Sequence, residues 1–136
     1  DLEGVVSVSL YPSNFDQVRF EYKALAPNWK ILEKLENKTI NEGKFIVAYK
    51  EQLNELDPKN VLKHLNSLTG GHEPIIMCQC GKTKFCHRHL IADWLESELG
   101  IYIHEYNFPD HVRKNGYLIK RNEPSLFSDE DQKVKK

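Results

Sequence analysis

The sequence has few cysteines, no charge excess and no long hydrophobic run, and each shortage excludes a class of protein. Its three cysteines are too few and too close together for a disulfide-rich secreted domain, so we expect free or metal-bound thiols in a reducing compartment. With 19 basic and 20 acidic side chains, the net charge of -1 creates no overall field toward nucleic acid or an anionic membrane. The apolar runs are too short to span a bilayer.

What remains is the composition of an ordinary folded domain. The chain has 136 residues, of which 40% are hydrophobic and 29% are charged, and this length suits one domain better than two. The amino terminus lacks the basic and apolar regions of a signal peptide, so we expect a cytoplasmic protein. We predict a single α/β domain over residues 1–122. Residues 123–136 are charged and nearly free of core residues, so we predict a frayed tail there.

Three segments have the pattern of β-strands, and together they predict a mostly parallel central sheet with helices on its faces. Residues 5–11 open with β-branched side chains, and residues 74–80 form a near-continuous apolar run typical of a buried parallel strand. Residues 101–106 alternate between apolar and polar side chains. The helix before them would make a βαβ unit with a right-handed crossover. Beyond it, Asn115-Gly116 is a turn signal that fits either a hairpin or a final helix.

Local signals mark where several helices begin and end. Thr39 and Glu42 have the spacing of a capping box, in which Glu42 reaches back to the Thr39 backbone. Asp57 is a good N-cap, and Pro58 suits the first turn of the helix that follows it. A later helix carries the apolar residues after Cys86, and Gly100 is its expected C-terminal residue.

The candidate site lies where the central strand ends and this last helix begins. In an open parallel sheet, ligands bind at the carboxyl ends of the strands, where loops turn into helices. Residues from the first strand, the central strand and the loop should therefore meet there. They are Ser7, Ser9, Tyr11, Cys78, Cys80, Lys82, Thr83, Lys84, Cys86, His87, Arg88 and His89.

The helix start favours an anionic ligand. Unpaired backbone N–H groups and the positive end of the helix dipole suit a phosphate or carboxylate. We expect Arg88 to hold the anion together with Lys82 or Lys84. The other ligand-binding residues that we predict are Thr83, Ser9 and Tyr11.

The same field would favour the thiolate of Cys86, and the adjacent His87 would assist it. Cys86 and His87 are therefore the candidate catalytic pair. The structural alternative is that Cys86 is simply a small apolar side chain at a helix start, because cysteine is among the most frequently buried residues.

A metal site is a second hypothesis for the same residues. Side chains alternate along a strand, so Cys78 and Cys80 lie on one face, and Cys86 and His89 would complete four zinc ligands. The spacing matches no common zinc finger. No cofactor is therefore the default expectation, and zinc is the alternative.

The motif Cys78-x7-Cys86-His87-Arg88, followed by Leu90-Ile91-Ala92-x-Trp94-Leu95, resembles a known family. It is similar to the domain of unknown function family 488, small α/β proteins of bacteria, archaea and their phages. Other agreeing elements occur in the same order, and the resemblance covers about residues 5 to 106. These elements are Tyr11-Pro12, Leu25-Ala26-Pro27 and Leu56-Asp57-Pro58-x-x-Val61.

The resemblance implies a buried strand ending in a cysteine, a charged loop, and a Cys-His-Arg triplet that opens a helix. The family's activity is not established. Many members carry Asp and Arg on the first strand, where this chain has Ser7 and Ser9. Many also carry a Glu where this chain has Cys80. These departures favour a binding role or a different substrate.

The leading hypothesis is a site for a phosphorylated or otherwise anionic ligand, related to nucleotides or nucleic acid, with thiol chemistry at Cys86. It leaves open whether the protein is an enzyme. The competing hypothesis is a non-catalytic interaction protein, phage-encoded in one version, whose Cys and His residues are structural or bind zinc. Neither hypothesis involves a membrane.

Overall fold

The structure, a computed structural model, describes residues 3–10, 18–78, 85–106 and 108–120. Within these ranges the chain forms a mixed α/β fold with four α-helices, a three-stranded parallel sheet and an antiparallel pair of strands. The predicted fold class is thus confirmed. Several residues of the predicted site, and the predicted tail, lie outside the described ranges. They are Tyr11, Cys80, Lys82, Thr83, Lys84 and residues 121–136.

The parallel sheet has β1 (Val5–Ser7) in its centre, between β2 (Phe20–Glu21) and β3 (Ile75–Met77). All three residues of β1 are buried, as expected for a central parallel strand. The first two predicted strands are therefore confirmed over shorter spans. The backbone pairing between β1 and β3 continues for one residue beyond the strands, since the N–H of Val8 donates to the carbonyl of Met77 at 3.0 Å.

The third predicted strand, residues 101–106, is wrong. Residues 101–105 have no regular secondary structure and do not pair with β3. Side chains replace a neighbouring strand at Ile103, whose N–H donates to Glu96 Oε2 at 2.8 Å and whose carbonyl accepts from Arg113 Nη1 at 3.1 Å. Because the backbone groups are already satisfied, the apolar alternation alone does not place this segment in the sheet. The predicted βαβ unit is accordingly absent among the described residues.

The first two helices are α1 (Trp29–Glu36) and α2 (Glu42–Asn54). The predicted capping box is wrong, because the N-cap of α2 is Asn41, whose side chain accepts a backbone N–H of the first turn. Thr39 instead donates from its backbone and its hydroxyl to the side chain of Asn37. Asn41 rather than Thr39 therefore caps α2, in agreement with the stronger preference of asparagine for the N-cap position.

The other two helices follow the sequence signals more closely. The third helix, α3 (Pro58–Leu68), has Asp57 as its N-cap and Pro58 in its first turn, as predicted. The fourth, α4 (His87–Leu99), ends at Gly100, which adopts the left-handed conformation with φ 65°. A residue without a Cβ adopts this conformation at least cost.

An antiparallel hairpin follows, formed by β4 (His111–Lys114) and β5 (Tyr117–Lys120). Its two turn residues, Asn115 and Gly116, have φ of 52° and 88°, as a two-residue turn of the primed type requires. Of the two alternatives that the turn signal allowed, the hairpin is the one present.

The hydrophobic core joins the parallel sheet to α2, α3 and α4. It is built by buried side chains from each of these elements, and α4 contributes a large share of them. Among the described residues, no helix combines the length and the apolar character needed to cross a membrane. The core members include Val6, Val8, Leu25, Phe45, Tyr49, Leu53, Val61, Leu65, Leu90, Ile91, Trp94 and Leu95.

Candidate thiol site at the start of helix α4

The candidate site is centred on Cys78 and Cys86, which are joined by a disulfide bond. Cys78 directly follows β3, and Cys86 is the N-cap of α4, so the end of the strand and the start of the helix meet at the two sulfurs. Both residues belong to the buried core. The expectation of free or metal-bound thiols is wrong for this pair, because the fold brings together two cysteines separated by eight positions.

His87, the first residue of α4, lies against the same two sulfurs. One of its ring nitrogens and the two Sγ atoms lie within 4.8 Å of one another. Its Nε2 is 2.7 Å from the carbonyl oxygen of Val8, which follows β1. A carbonyl only accepts hydrogen bonds, so Nε2 carries the proton and Nδ1 keeps a lone pair. The ring also packs edge-on against Tyr49 at 5.6 Å between centroids.

Burial determines the charge of this imidazole. It lowers the pKa of His87 to about 4, and the hydrogen bond to Val8 only partly opposes that effect. The neighbouring charge of Arg88 lowers the pKa further. His87 is therefore neutral at physiological pH, and its second ring nitrogen can accept a hydrogen bond.

The hairpin holds the start of α4 in place. The backbone N–H of Cys86 donates to the carbonyl of Gly116 at 2.9 Å. Gly116 has φ 88°, and a Cβ there would clash with the ring of Phe85, so glycine allows the turn to approach this closely. Among the described residues no side chain caps α4, and its first turn contains no acidic residue. Its positive end is therefore not offset locally by a carboxylate.

Arg88 and His89 face the other way, toward the C-terminal part of the domain. Arg88 Nη1 donates to Glu105 Oε1 at 2.6 Å, and its Nη2 donates to His89 Nε2 at 2.7 Å. The other ring nitrogen of His89 donates to the carbonyl of Gly116 at 2.8 Å. Both nitrogens of His89 are thus engaged, and the structure brings His87 rather than His89 to the two sulfurs.

A second arginine completes this charged cluster. Arg113 donates to Asp93 at 2.8 Å, to Glu96 at 2.6 Å and to Glu105 at 2.7 Å. Burial alone would raise the pKa of Glu105, but the hydrogen bonds from the two arginines hold it below its ordinary value. The side chains of Arg113 and Glu105 are only 8% and 5% exposed, so these ions are paired out of solvent.

Sequence reasoning missed this cluster, and the signals for it were weak. Glu105 lies in a segment that the sequence predicts to be a strand, and Arg113 lies near the predicted turn at Asn115-Gly116. A carboxylate within an apolar alternating segment could have indicated a buried partner. The cluster borders a groove of about 1030 Å³ between α3, α4, β3 and residues 101–106 and 108–113, which Cys78 and Arg88 also line.

Ser9, which lies two residues beyond β1, forms two hydrogen bonds through its backbone. Its N–H donates to Ser7 Oγ at 3.3 Å, and its carbonyl accepts from Lys23 Nζ at 3.2 Å. Lys23 also reaches the carbonyl of Leu10 at 2.7 Å, which places an unpredicted cation at this end of the strand. Ligand binding by Ser9 stays a prediction. The other predicted contacts, Tyr11, Lys82, Thr83 and Lys84, and the predicted metal ligand Cys80, lie outside the described residues.

A comparison with known protein families covers the residues of this site. The family model that matches residues 6–99 is described as the active DUF488-N3 subclade. No curated protein and no solved structure matches the chain. The match includes the parallel sheet except for Val5, and it covers all four helices and both linked cysteines. The chain therefore belongs to the DUF488 family of domains of unknown function.

Proposed function

We propose that this protein is a cysteine-dependent enzyme that acts on a small anionic molecule at the start of α4. The observation that carries the proposal is that the sulfurs of Cys86 and Cys78 and a ring nitrogen of His87 lie within 4.8 Å of one another. A thiol beside a base, with a third group that orients the base, is the minimum unit of nucleophilic catalysis. The carbonyl of Val8 is that third group, since it fixes the ring through Nε2.

Each member of the pair has a chemical role. In the reduced protein, Nδ1 of neutral His87 accepts a hydrogen bond from the Cys86 thiol and takes its proton as the sulfur attacks the substrate. The sulfur forms a bond to the electrophilic atom of the substrate while the bond from that atom to its leaving group breaks. The proton on His87 is returned to the leaving group, so the imidazole is neutral again at the end of the step.

The surroundings of Cys86 support a thiolate and an anionic substrate. The helix α4 presents the positive end of its dipole at Cys86, and no acidic side chain of its first turn opposes it. The proposal does not use Arg88, because its guanidinium is already paired with Glu105. The substrate's charge would instead be recognised by the helix N–H groups and by Lys82 and Lys84.

The disulfide defines the resting chemistry of this site. Cys86 is joined to Cys78, so its sulfur is not a nucleophile until the bond is reduced. Reduction takes two electrons and two protons from a thiol reductant and yields two thiols. The proposed enzyme therefore requires a reductant for activity. The family description as active also supports an enzyme.

The test is the rate of alkylation of each thiol as a function of pH. The protein is reduced with a phosphine in the presence of EDTA and treated with iodoacetamide, and mass spectrometry locates the modified cysteine. We expect Cys86 to react with a midpoint below the ordinary thiol pKa of about 8.5. Cys86→Ser should remove this reactive group, whereas Cys78→Ser and Cys80→Ser should keep it. A midpoint at or above the ordinary value would exclude the nucleophile.

A second arm of the experiment addresses the anion. Inorganic phosphate should slow the alkylation of Cys86 to a saturating extent, and potassium chloride of equal ionic strength should not. The Lys82→Gln, Lys84→Gln double variant should weaken this protection. If phosphate and chloride act alike, the anionic substrate is wrong even where the nucleophile is right.

A further inference from the structure

Three atoms that are good metal ligands meet at the thiol site. The Sγ atoms of Cys78 and Cys86 and one ring nitrogen of His87 lie within 4.8 Å of one another. Around a tetrahedral zinc ion, two sulfurs and a nitrogen are separated by roughly 3.5–4 Å, as follows from the usual metal–ligand distances. Reduction breaks the bond between the two sulfurs and lets them separate toward that distance.

His87 is already oriented for a metal. Zinc-bound histidines generally donate their second N–H to a carboxylate or a backbone carbonyl, which fixes the ring and the tautomer. His87 does this through Nε2, 2.7 Å from the carbonyl of Val8, and Nδ1 is left as the ligand atom. His89 does not qualify, because its nitrogens are bonded to Gly116 and Arg88.

We infer that the reduced protein binds Zn²⁺ through Cys78, Cys86 and His87, and that disulfide formation releases it. Two thiolates and one imidazole leave the fourth position for water, as in sites that are not purely structural. When a low-molecular-weight disulfide oxidises the site, the two thiolates lose two electrons and join. The oxidant becomes two thiols by taking up two protons, and the zinc ion departs. The inference does not depend on Cys86 being a nucleophile.

The experiment uses Co²⁺ as a spectroscopic probe and Zn²⁺ as its competitor. The full chain is reduced with a phosphine, freed of metal and titrated with Co²⁺. We expect thiolate-to-cobalt charge-transfer absorption of the intensity given by two thiolates, and its loss when Zn²⁺ is added. The oxidised protein, with the disulfide intact, should show no such band. A band of equal strength in the oxidised protein would overturn the inference.

Matched variants identify the ligands. Cys78→Ser should halve the charge-transfer absorption, and His87→Gln should weaken Zn²⁺ binding by more than the roughly 10–100-fold that loss of an outer partner costs. Their controls are Cys80→Ser and the exposed His64→Gln, which should leave binding unchanged. Circular dichroism of each variant ensures that only folded protein is compared. Unchanged binding in folded His87→Gln, or lost binding in Cys80→Ser, would overturn this ligand set.

This test fails separately from that of the proposed function. Thiol reactivity is measured in EDTA and is unaffected by whether zinc binds. A low thiol pKa without cobalt absorption would leave the enzyme proposal in place and remove the zinc site, and the reverse result would do the opposite.

Discussion

The two sides of the α4 start differ in kind, although four consecutive residues supply both. On one side, Cys86 and His87 present a sulfur and a neutral imidazole to the carboxyl end of the sheet. On the other, Arg88 and His89 enter a network of buried ion pairs and hydrogen bonds. Neighbouring residues of a helix do not face each other, so a contiguous motif divides between two environments. The side with Cys86 and His87 is suited to thiol chemistry, and the side with Arg88 and His89 stabilises the fold around it.

The largest effect that should distinguish the two sides is the loss of Arg113. Arg113→Leu leaves Glu96 without a charged partner and leaves Glu105 paired with Arg88 alone. Because Glu105 is mostly out of solvent, we expect the free energy of unfolding to fall by about 3 kcal/mol, the lower end of the cost of breaking a buried ion pair. Urea denaturation measures this loss. The exposed neighbour Lys114→Ala is the control and should change stability by less than ~0.5 kcal/mol. A loss below ~1 kcal/mol for Arg113→Leu would show that the cluster is not the support of this region.

Replacing Glu105 should lower the free energy of unfolding by a smaller amount, and this loss should depend on pH. Glu105→Gln keeps an acceptor oxygen for only one of the two arginines and turns an NH2 donor toward the other, so it should cost ~1–3 kcal/mol at neutral pH. The folded pKa of Glu105 is lowered, so its contribution is complete above the ordinary Glu pKa and is lost as the pH falls through the folded value. Wild type and variant should therefore converge in stability in acid. Parallel stability curves across that range would contradict the pairing.

The carbonyl of Gly116 accepts hydrogen bonds from both Cys86 and His89, so Gly116→Ala tests whether the hairpin positions the start of α4. A Cβ at this position strains the left-handed backbone and also meets the ring of Phe85, so we expect a loss of more than about 1 kcal/mol and altered reactivity of Cys86. Gly71→Ala is the matched control, since Gly71 has φ 93° but open space around it. The difference between the variants isolates the Phe85 contact. Equal losses and equal thiol reactivity would show that the hairpin does not position the helix start.

The sequence predicts correctly most of the structural features that depend on residues close together in the chain. Local signals were sufficient for Asp57, Pro58 and Gly100, because a cap or a left-handed turn depends on nearby residues. They failed at Thr39, where a neighbouring asparagine was the better cap. The first two strands also followed from their apolar runs.

The features that the sequence does not predict depend on pairing between residues far apart in the chain. Residues 101–106 alternate as a strand does, but Glu96 and Arg113 satisfy the backbone of Ile103 from other elements. The structure brings Cys78, Cys86 and His87 together at the start of α4, and their role as a site stays a prediction. The side chain to which each residue of the motif is paired, as Arg88 is to Glu105, could not be read from spacing along the chain.

The most direct test of the central claim compares His87→Gln with Arg88→Gln in the reduced, metal-free protein. The measurement is the rate of alkylation of Cys86 at neutral pH, with both variants folded. The account predicts that His87→Gln slows the reaction by roughly 10-fold or more, since the base is lost. Arg88→Gln should change it less than about twofold, because that side chain supports the fold through Glu105. A larger effect of Arg88→Gln than of His87→Gln would contradict the division of the motif.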